Sequence, residues 1–499
     1  MASNRKVLKN KLLTRTIFDM KDKYYKQERN KRAGDKVGFD LIDNEVSKQT
    51  RYIPIRSLFQ KAGEEILFLK PCLMMSPQSV SQFLPKKDFL FDIIVIDEAS
   101  QIKPEKCLAS LLRGKQLVVV GDSKQLPPTF DYRKSLEDEE IINEDNSIQQ
   151  EDEQIEESIL ELANGTIKNN YMLTWHYRSK HHSLINFSNS KFYDNKLLIF
   201  PSPNLNSDFG ISHYYLEDAV YNDSTNLLEA ESIVNKVMEL LSSNSTDTIG
   251  VVAVNQKQSN LIDDLIFKRI GSSPAKEHLF NKATDGEEQL IIKNLENIQG
   301  DERDIILIST VYGKDESGKF YQRFGPINSK YGHRRLNVLF TRARKKILLY
   351  TSMNPEEIIT EGKNLGVKIL REYLEYARSG TLQIAEKTNK GVDSDFELSV
   401  KQFLEANGFE VDTQIGVRGY FVDLAIKDIS SSRYILGIEC DGAPYHTELS
   451  ARERDRLRQE VLEGLGWNIY RILSTNWYSH YENEKDKLLS IINKLAEKD

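Results

Sequence analysis

The sequence of 499 residues predicts an α/β fold with about three domains. Three observations carry this prediction. Residues 93–96 and 117–120 are unbroken apolar strands joined by a helical segment, and residues 248–254 and 304–311 repeat the pattern. Strands without alternating polarity are typical of parallel sheets that are covered on both faces. From residue 391 the pattern changes to a helix followed by strands that carry acids. We therefore expect two parallel-sheet domains and a smaller α/β domain.

Acidic residues follow the first two strands. Asp97 and Glu98 come directly after residues 93–96, and Asp122 follows residues 117–120. Ligands bind at the carboxyl ends of the strands in such sheets. The spacing therefore favours an ATP-hydrolysing site over the alternative, in which these carboxylates only cap helices or face solvent.

Composition restricts the class of protein. The net charge of −7 is misleading, because residues 135–157 contain eleven acids and no base, and without them the charge becomes +4. Such a tract is predicted to be a flexible insertion, and the mildly basic remainder is compatible with nucleic-acid binding. No apolar run approaches the roughly 20 residues of a membrane helix, and no signal peptide is evident. Three distant cysteines indicate neither disulfides nor a zinc cluster. We expect a cytoplasmic protein without a membrane partner.

A basic stretch, residues 333–344, precedes another apolar strand in the second region. Arg342 and Arg344 are candidates for phosphate contact, because guanidinium groups bind phosphate in a bidentate manner and stabilise the charge of phosphoryl transfer. The alternative is a solvated basic helix face.

Five strings in order carry a family resemblance: DEASQ, GDSKQLPPT, WHYRS with FSNSKFYDNKL, NIQGDERDIILIST and RRLNVLFTRAR. Together they resemble the motifs of superfamily 1 helicases of the DNA2/NAM7-like type, over roughly residues 65–355. The resemblance implies two RecA-like domains, an ATP cofactor and a nucleic-acid partner, DNA or RNA.

The resemblance also implies roles for individual residues. Asp97 would hold magnesium, and Glu98 would act as the base that polarises the attacking water. The residues implied to contact the nucleotide, or to couple it to nucleic acid, are Gln125, Arg178, Gln299, Gly300, Arg342 and Arg344.

One helicase motif is missing from the sequence. In these helicases a glycine-rich Walker A loop precedes the strand that ends at the residue matching Asp97. The backbone amides and the lysine of this loop bind the phosphates. The single GxxxxGK string, residues 313–319, lies in the wrong half and is followed by Phe320 instead of Ser or Thr. We interpret it as a chance match. ATP binding is therefore in doubt, and we expect the carboxyl-terminal part of a longer helicase, with a separate polypeptide or upstream segment carrying the loop.

The third region places carboxylates on strands. Alternation along residues 434–442 puts Glu439 and Asp441 on one face, beside Asp423 of the preceding strand. Such a cluster favours magnesium, which takes oxygen ligands and activates water for phosphodiester hydrolysis. The alternative is a pair of outward-facing acids on an edge strand.

The strings VDLAI, IECDGAPYH, RERDRLRQEVLEGLGW and RILSTNW resemble the PD-(D/E)XK nucleases, particularly the very-short-patch-repair-like branch, over about residues 390–480. The resemblance implies Asp423 and Glu439 as metal ligands, with Asp441 and His446 as further ligands or proton carriers. Asp441 stands where the superfamily has lysine, so the general base is open. Lys401 and His446 are candidates.

The helix that follows is rich in arginine and could grip phosphates, although a solvated helix with internal ion pairs is the alternative. Its arginines are Arg452, Arg454, Arg456 and Arg458.

We predict a partial first RecA-like domain in residues 1–165, a second in residues 166–380 and a nuclease domain in residues 391–499. Three functions stay open at this point: a helicase fused to a DNA endonuclease, a stand-alone magnesium-dependent nuclease with a vestigial ATPase, and a non-enzymatic nucleic-acid-binding remnant.

Overall fold

The computed structural model describes most of the chain. The described residues are 37–85, 90–128, 158–204, 208–243, 245–271, 289–380, 394–416, 420–428, 433–442 and 449–496. The acidic tract 135–157 and His446 lie outside them. The described residues fall into two units. The first contains residues 37–123, 127–128 and 158–168, and the second contains Lys124–Leu126 and residues 169–496.

In the described residues, the first unit contains helices and one pair of parallel strands. Its elements are α1 (Val37–Ser47), α2 (Ile55–Leu69), α3 (Pro77–Phe83), β1 (Phe91–Ile96), α4 (Pro104–Leu111), β2 (Gly114–Val119) and α5 (Ile159–Thr166). Strands β1 and β2 pair in parallel, with Ile96 opposite Val119. Ser158 caps α5 by accepting a hydrogen bond from the amide of Glu161, as Ser does at helix starts. A small core forms around Ile96, Cys107 and Leu160.

The expected burial of the first two strands is wrong for this unit. Ile93 is 53% exposed, Val95 61% and Val118 45%. Within the part of the chain that the structure describes, β1 and β2 form a sheet of two strands only. Strands with apolar side chains on both faces are suited to the interior of a larger sheet. The exposure arises because the described residues supply too few neighbours to cover this pair.

The second unit contains a five-stranded parallel sheet, which confirms the predicted α/β class. Its strands are β5 (Gly210–Tyr215), β8 (Ile249–Ala253), β9 (Ile291–Asn294), β10 (Arg303–Ser309) and β11 (Ala343–Thr351), in the order β5-β11-β10-β8-β9. All four pairings are parallel. Its helices are α6 (Ser183–Phe192), α7 (Leu227–Ser242), α8 (Gln256–Ile270), α9 (Gly332–Phe340) and α10 (Leu365–Ser379). Every residue of β8 and β10 is buried, as the unbroken apolar pattern predicts.

Short two-residue strands complete this part of the unit. They are β3 (Trp175–His176), β4 (Leu198–Ile199), β6 (Tyr221–Asn222) and β7 (Thr225–Asn226). Strand β3 pairs in parallel with β4, so the WHYRS string lies directly beside the segment that leads to residue 200.

A buried carboxylate ties the ends of β10 and β11 to helix α7. Glu229 accepts hydrogen bonds from Ser309 Oγ at 2.6 Å, from the Val311 amide at 2.9 Å and from the Ser352 amide at 3.0 Å. Burial raises the pKa of Glu229 to about 7, although these donors favour the ionised form. A buried polar group needs such partners. The network therefore fixes the carboxyl ends of the strands.

The carboxyl-terminal part of the second unit has its own four-stranded mixed sheet. Its elements are α11 (Asp395–Ala406), β12 (Val411–Gly416), β13 (Phe421–Asp428), β14 (Arg433–Asp441), α12 (Leu449–Gly464), β15 (Ile469–Leu473), α13 (Ser474–Ser479) and α14 (Tyr481–Ala496). The order is β12-β13-β14-β15, antiparallel except for the parallel β14–β15 pair. Helix α11 begins after its cap Ser394, where the sequence predicts it. Helices α13 and α14 were not predicted.

The two faces of this sheet contribute to separate cores. One core joins strand residues such as Leu424 and Ile438 to Val400 of α11 and Ile492 of α14. The other contains Trp467 and the end of α12, and it also contains Phe200, which precedes the five-stranded sheet in sequence. The small sheet therefore shares a core with a distant stretch of chain.

That stretch, which we call the docking segment, is residues 200–204 with the sequence FPSPN. The Trp467 indole donates a hydrogen bond to the Pro201 carbonyl at 2.8 Å, and the Tyr434 amide donates to the Pro203 carbonyl at 2.8 Å. Phe200, Pro201, Ser202 and Pro203 are all buried. The predicted boundary near residue 391 therefore separates the sequence patterns but not the packing.

Helices long and apolar enough to cross a bilayer are absent from the described residues.

Candidate functional sites

The first acidic pair lies at the carboxyl end of β1, as the sequence predicts. Asp97 and Glu98 are exposed, and the Glu98 amide donates to Asp97 Oδ1 at 2.9 Å. Gln101 Nε2 donates to Glu98 Oε2 at 3.1 Å. Glu98 has a φ of 50°, a left-handed conformation that is uncommon outside glycine. The backbone thus holds an acidic pair in an unusual turn at the edge where this fold binds ligands.

The end of β2 closes against the same turn. The Ala99 amide donates to the Val120 carbonyl at 2.9 Å, which joins the two strand ends. A side chain at Gly121 would place its Cβ 3.0 Å from the Ser100 amide nitrogen, too close for an ordinary contact. Glycine therefore lets the second strand end lie beside the Asp97–Glu98 turn, and Asp122 follows there.

Gln125 lies in a short piece of chain that belongs to the second unit. Lys124–Leu126 is assigned to that unit, and Leu126 is part of its main core. Asn337 Nδ2 of α9 donates to the Lys124 carbonyl at 3.1 Å. Two of the helicase-like strings, GDSKQLPPT and RRLNVLFTRAR, are therefore in direct contact at this point.

Two of the predicted phosphate-binding arginines meet at one carboxylate. Arg178 Nε lies 2.6 Å from Glu302 Oε2, and Arg344 Nη1 lies 3.6 Å from Glu302 Oε1. Arg344 also approaches Asp304, with Nε 3.3 Å from Oδ1. The WHYRS, NIQGDER and TRAR strings therefore converge at the amino ends of β10 and β11. Sequence reasoning missed Glu302, although it lies two residues after Gly300 within a quoted string.

Arg342 lies in a different environment from Arg178. It is 5% exposed, and its guanidinium donates to the Val338 carbonyl at 2.9 Å and to Thr341 Oγ1 at 3.2 Å. The helix before it, α9, buries most of its residues, so the solvated-face alternative is wrong for this helix. Arg342 is therefore held at the end of a buried helix.

Gln299 and Gly300 form the turn before β10. Gln299 is half-buried, and its Nε2 atom lacks a hydrogen-bond partner in the part of the chain that the structure describes. Gly300 has a φ of 89° and open space on the side where a Cβ would stand. Glycine adopts this conformation at little cost, whereas other residues are strained by it.

The GxxxxGK string at residues 313–319 is a turn closed on itself. The Asp315 carboxylate accepts hydrogen bonds from the Ser317 amide at 2.8 Å and from the Lys319 amide at 3.0 Å. A bridge between Lys314 and Phe320 closes the turn. The amides that a phosphate loop would present are thus taken by Asp315, which agrees with our interpretation of a chance match.

The carboxylates of the third region converge on one face of the small sheet. Asp423 of β13 accepts a hydrogen bond from the Cys440 amide at 2.7 Å, which places it beside Glu439 and Asp441 of β14. Leu436, Ile438 and Cys440 pack into the core of the opposite face. The alternation that the sequence predicts along β14 is thus present.

Burial and mutual repulsion raise the pKa values of Asp423 and Glu439. Burial and, to a smaller extent, the negative charges of Glu439, Glu397 and Asp441 together raise the pKa of Asp423 to about 7, although the hydrogen bond from the Cys440 amide opposes them. Burial also raises the pKa of Glu439, although a hydrogen bond from Tyr420 and the charge of Arg471 oppose this effect. Clustered carboxylates with raised pKa values are typical of functional sites.

Glu397 is a fourth acid of this region that sequence reasoning did not assign to the site. It lies in the first turn of α11, is 7% exposed, and accepts hydrogen bonds from Ser394 Oγ at 3.0 Å and Gln414 Nε2 at 3.1 Å. Its charge raises the pKa of Asp423. A buried acid one turn after a helix cap is the signal that could have identified it.

Arg471 is the cation that contacts the carboxylates. Its strand β15 pairs with β14 so that Arg471 lies opposite Glu439. Arg471 Nε is 3.2 Å from Asp441 Oδ2, and Nη2 is 3.9 Å from Glu439 Oε2. The ion pair of Lys401 is with Glu405, at 3.6 Å on its own helix. Sequence reasoning missed Arg471. The signal was available, because the charged Arg471 stands between Tyr470 and Ile472 in a strand and therefore points to the opposite face from both.

Carboxylate oxygens are the candidate magnesium ligands of this site. Among the described residues, no three His, Cys, Asp or Glu side chains stand close enough to hold an ion as they are placed. One Asp423 oxygen accepts from an amide, and Arg471 lies against Asp441. The donors are nonetheless carboxylate oxygens, the ligands that hard divalent cations take. The negative charges of Glu439, Glu397 and Asp441 act on Asp423, and a cation would offset this repulsion, so the residues fit magnesium.

Two arginines of α12 differ in their surroundings. Arg458 lies over the Tyr420 ring at 5.5 Å, and its charge lowers the pKa of Glu439. Arg456 is exposed and lies 3.6 Å from Glu460, one turn along the helix. The first therefore borders the carboxylates, whereas the second fits the solvated-helix alternative.

Family models match three parts of the chain. Two families described as AAA domain match residues 44–132 and 155–354. The REase_MTES_1575 family matches residues 396–492.

Curated relatives match across these parts. The chain is 29% identical over 456 residues to the uncharacterized ATP-dependent helicase MG140 of Mycoplasma genitalium, which is 87% of this chain and 40% of that protein. It is 28% identical over 283 residues to helicase sen1 of Schizosaccharomyces pombe, covering 53% of this chain and 15% of that protein. It is 23% identical over 299 residues to the human DNA replication ATP-dependent helicase/nuclease DNA2, and the match covers 52% of this chain and 24% of that protein.

These matches confirm the resemblance stated from the sequence. The relatives are superfamily 1 helicases, and this chain matches AAA-domain families followed by an endonuclease family. The chain spans two fifths or less of the length of these three relatives.

Proposed function

We propose that this chain combines part of an ATP-dependent DNA helicase with a magnesium-dependent DNA endonuclease and acts in DNA processing or defence. One observation carries the proposal: Asp423, Glu439 and Asp441 crowd together on one face of the small sheet, where the Cys440 amide donates to Asp423 at 2.7 Å and Arg471 lies 3.2 Å from Asp441. The matches to helicase and endonuclease families support both halves.

In the nuclease half, Asp423, Glu439 and Asp441 would hold magnesium. When bound, the ion supplies an activated water and stabilises the leaving oxygen of a phosphodiester. Arg471 offsets the negative charge of Glu439 and Asp441, and it provides a fixed cation where the superfamily lysine is replaced by Asp441. We assign to Arg458, on the other border of the cluster, a contact with DNA phosphate. The general base stays open, with His446 and Lys401 as the sequence candidates.

In the helicase half, we assign magnesium binding to Asp97 and the base to Glu98. Arg178, Arg344 and the buried Arg342, with Gln125, are assigned to nucleotide phosphates, and Gln299 and Gly300 to coupling with nucleic acid. Glu302 would hold Arg178 and Arg344 in place until phosphate competes for them. These roles require a phosphate loop that the 499 residues do not contain, so the partner is a polypeptide or segment that carries it.

The exposed apolar faces of β1 and β2 favour a further segment that covers them. The alternative from the sequence is that the nuclease acts alone and the ATPase is vestigial. DNA cleavage without ATP would agree with both proposals, whereas ATP hydrolysis after addition of the missing segment would support only the first.

The nuclease proposal predicts cleavage of plasmid DNA by the full chain in magnesium and none in a chelator. Glu439→Gln should lower the rate about 100-fold or more, because metal catalysis contributes several kcal/mol. The control is Glu410→Gln, which removes an exposed partner of Lys427 and should change little. Cleavage that persists unchanged in Glu439→Gln would refute the proposal.

The two arginines of α12 give a separate prediction on DNA binding. We expect Arg458→Ala to weaken DNA affinity about 5- to 10-fold and to reduce the salt dependence of binding, because one phosphate contact is lost. Arg456→Ala, on the same helix, should bind DNA nearly as the natural protein does. Fluorescence anisotropy over a range of salt concentrations measures both, and equal effects of the two changes would contradict the assignment.

A further inference from the structure

The docking segment meets the small sheet next to the carboxylates, at Tyr420. Phe200 is 4% exposed and packs against the ring of Tyr420, with ring centroids 5.1 Å apart. The Tyr420 hydroxyl donates a hydrogen bond to Glu439 Oε1. A single side chain therefore separates a residue of the helicase half from a carboxylate assigned to magnesium.

The same contacts continue into the helicase half. Trp175 lies edge-on to Phe200, with centroids 5.6 Å apart. Trp175 pairs with Leu198 in the β3–β4 ladder and stands three residues before Arg178. A row of aromatic rings, Trp175, Phe200 and Tyr420, thus runs from the WHYRS string to Glu439.

The docking segment is built to hold its position. Pro201 and Pro203 fix their own φ angles, which leaves the segment little freedom. Their carbonyls accept the hydrogen bonds from the Trp467 indole and the Tyr434 amide. Movement of Phe200 away from Tyr420 would leave buried donors without partners, at a cost of about 1–3 kcal/mol each.

The Tyr420 hydroxyl is not required for packing alone. A phenylalanine would fill the same volume between Phe200 and Arg458, so the hydroxyl contributes through its hydrogen bond to Glu439. Groups that hold metal ligands in this way typically change metal affinity 10- to 100-fold when they are removed. The bond directs one oxygen of Glu439 and thereby orients the other.

We propose that Tyr420 is a positioning residue for Glu439, and that Phe200 of the docking segment holds Tyr420 in place, so that the metal-binding geometry depends on the helicase half. This inference rests on the proposed nuclease function. It assigns to residues 200–204 a role that neither half would need alone.

The test measures manganese binding by the full chain, by electron paramagnetic resonance, alongside cleavage. Tyr420→Phe should weaken manganese affinity about 10-fold. The matched control is Tyr434→Phe, because Tyr434 belongs to the same core as Tyr420. The hydroxyl that this variant loses donates to Asp412 at 2.6 Å and not to Glu439. The variant should bind manganese as the natural protein does.

A second pair of variants tests the docking segment. Phe200→Leu should also weaken manganese affinity, by about 3- to 10-fold, because Tyr420 loses the aromatic ring that packs against it. Phe403→Leu, which alters the core on the opposite face of the sheet, should not. Thermal unfolding shows whether each variant is folded. If Phe200→Leu is not folded, the comparison of Tyr420→Phe with Tyr434→Phe tests the inference.

The outcomes separate this inference from the function on which it rests. If Tyr420→Phe and Tyr434→Phe bind manganese equally well, the positioning role is overturned while the nuclease stands. If the natural protein binds no manganese and does not cleave DNA, the proposed function is wrong, and the inference that rests on it is wrong as well. Weakened binding in Tyr420→Phe alone supports the inference.

Discussion

Asp423→Asn should abolish metal-dependent DNA cleavage and, at the same time, stabilise the metal-free protein above neutral pH. The change removes a charge from a cluster whose members repel one another. The amide oxygen of asparagine can still accept the hydrogen bond from the Cys440 amide. Loss of cleavage should be about 100-fold or more, as expected when a metal ligand is removed.

The pH dependence follows from the raised pKa of Asp423. The folded state binds this proton more tightly than the unfolded state, with a pKa of about 7 against 3.8. Stability from this group is therefore present below about pH 4 and is lost as the pH rises to about 7. The full difference corresponds to roughly 4 kcal/mol, and solvent screening reduces it to about 2 kcal/mol. The asparagine variant should not show this loss.

Urea unfolding in a chelator at about pH 5 and about pH 8 measures the effect. The control is Asp428→Asn, at the far end of the same strand, which should change neither cleavage nor the pH dependence. Added magnesium should stabilise the natural protein at the higher pH and leave Asp423→Asn unchanged. An equal loss of stability with pH in the natural protein and the variant would show that Asp423 is not the group responsible.

The second large effect concerns ATP. The chain by itself should hydrolyse ATP no faster than background, because the amides and lysine of a phosphate loop are absent from its sequence. When a segment carrying that loop is supplied, DNA-stimulated hydrolysis should appear. Glu98→Gln should then lower the rate about 100- to 1,000-fold, the usual contribution of a general base.

The matched control is Glu105→Gln, in the first turn of α4, which is also exposed but lies away from the strand end. It should hydrolyse ATP at the natural rate. A phosphate-release assay measures all three proteins. Rapid hydrolysis by the chain alone would overturn the assignment of the missing loop.

Much of the fold follows from strand patterns. Residues 249–253 and 305–308 are wholly buried, because an unbroken apolar run has no face that water can solvate without cost. The same pattern at residues 91–96 does not give burial, since burial depends on neighbouring elements as well as on the strand itself. Periodicity therefore predicts which residues can be buried, and only the surrounding chain decides whether they are.

The candidate sites divide in the same way. Alternation along β14 is a local property, so the shared face of Glu439 and Asp441 was predictable. The contacts of Glu397 and Arg471 depend on how α11 and β15 pack against that strand, over separations that no short pattern records. Glu302 is a third case, because its role emerges only when Arg178 and Arg344 are seen to meet there.

The docking segment affects where this chain can be cut into fragments and which residues must be transferred together to another protein. A fragment starting at residue 391 would uncover the apolar faces of Tyr420 and Trp467 and would lose the carbonyl partners of Tyr434 and Trp467. We therefore expect residues 391–499 to be less stable on their own, and transplanting them to another protein should require residues 200–204 as well. Conversely, a protease cut after residue 380 should leave the two pieces associated.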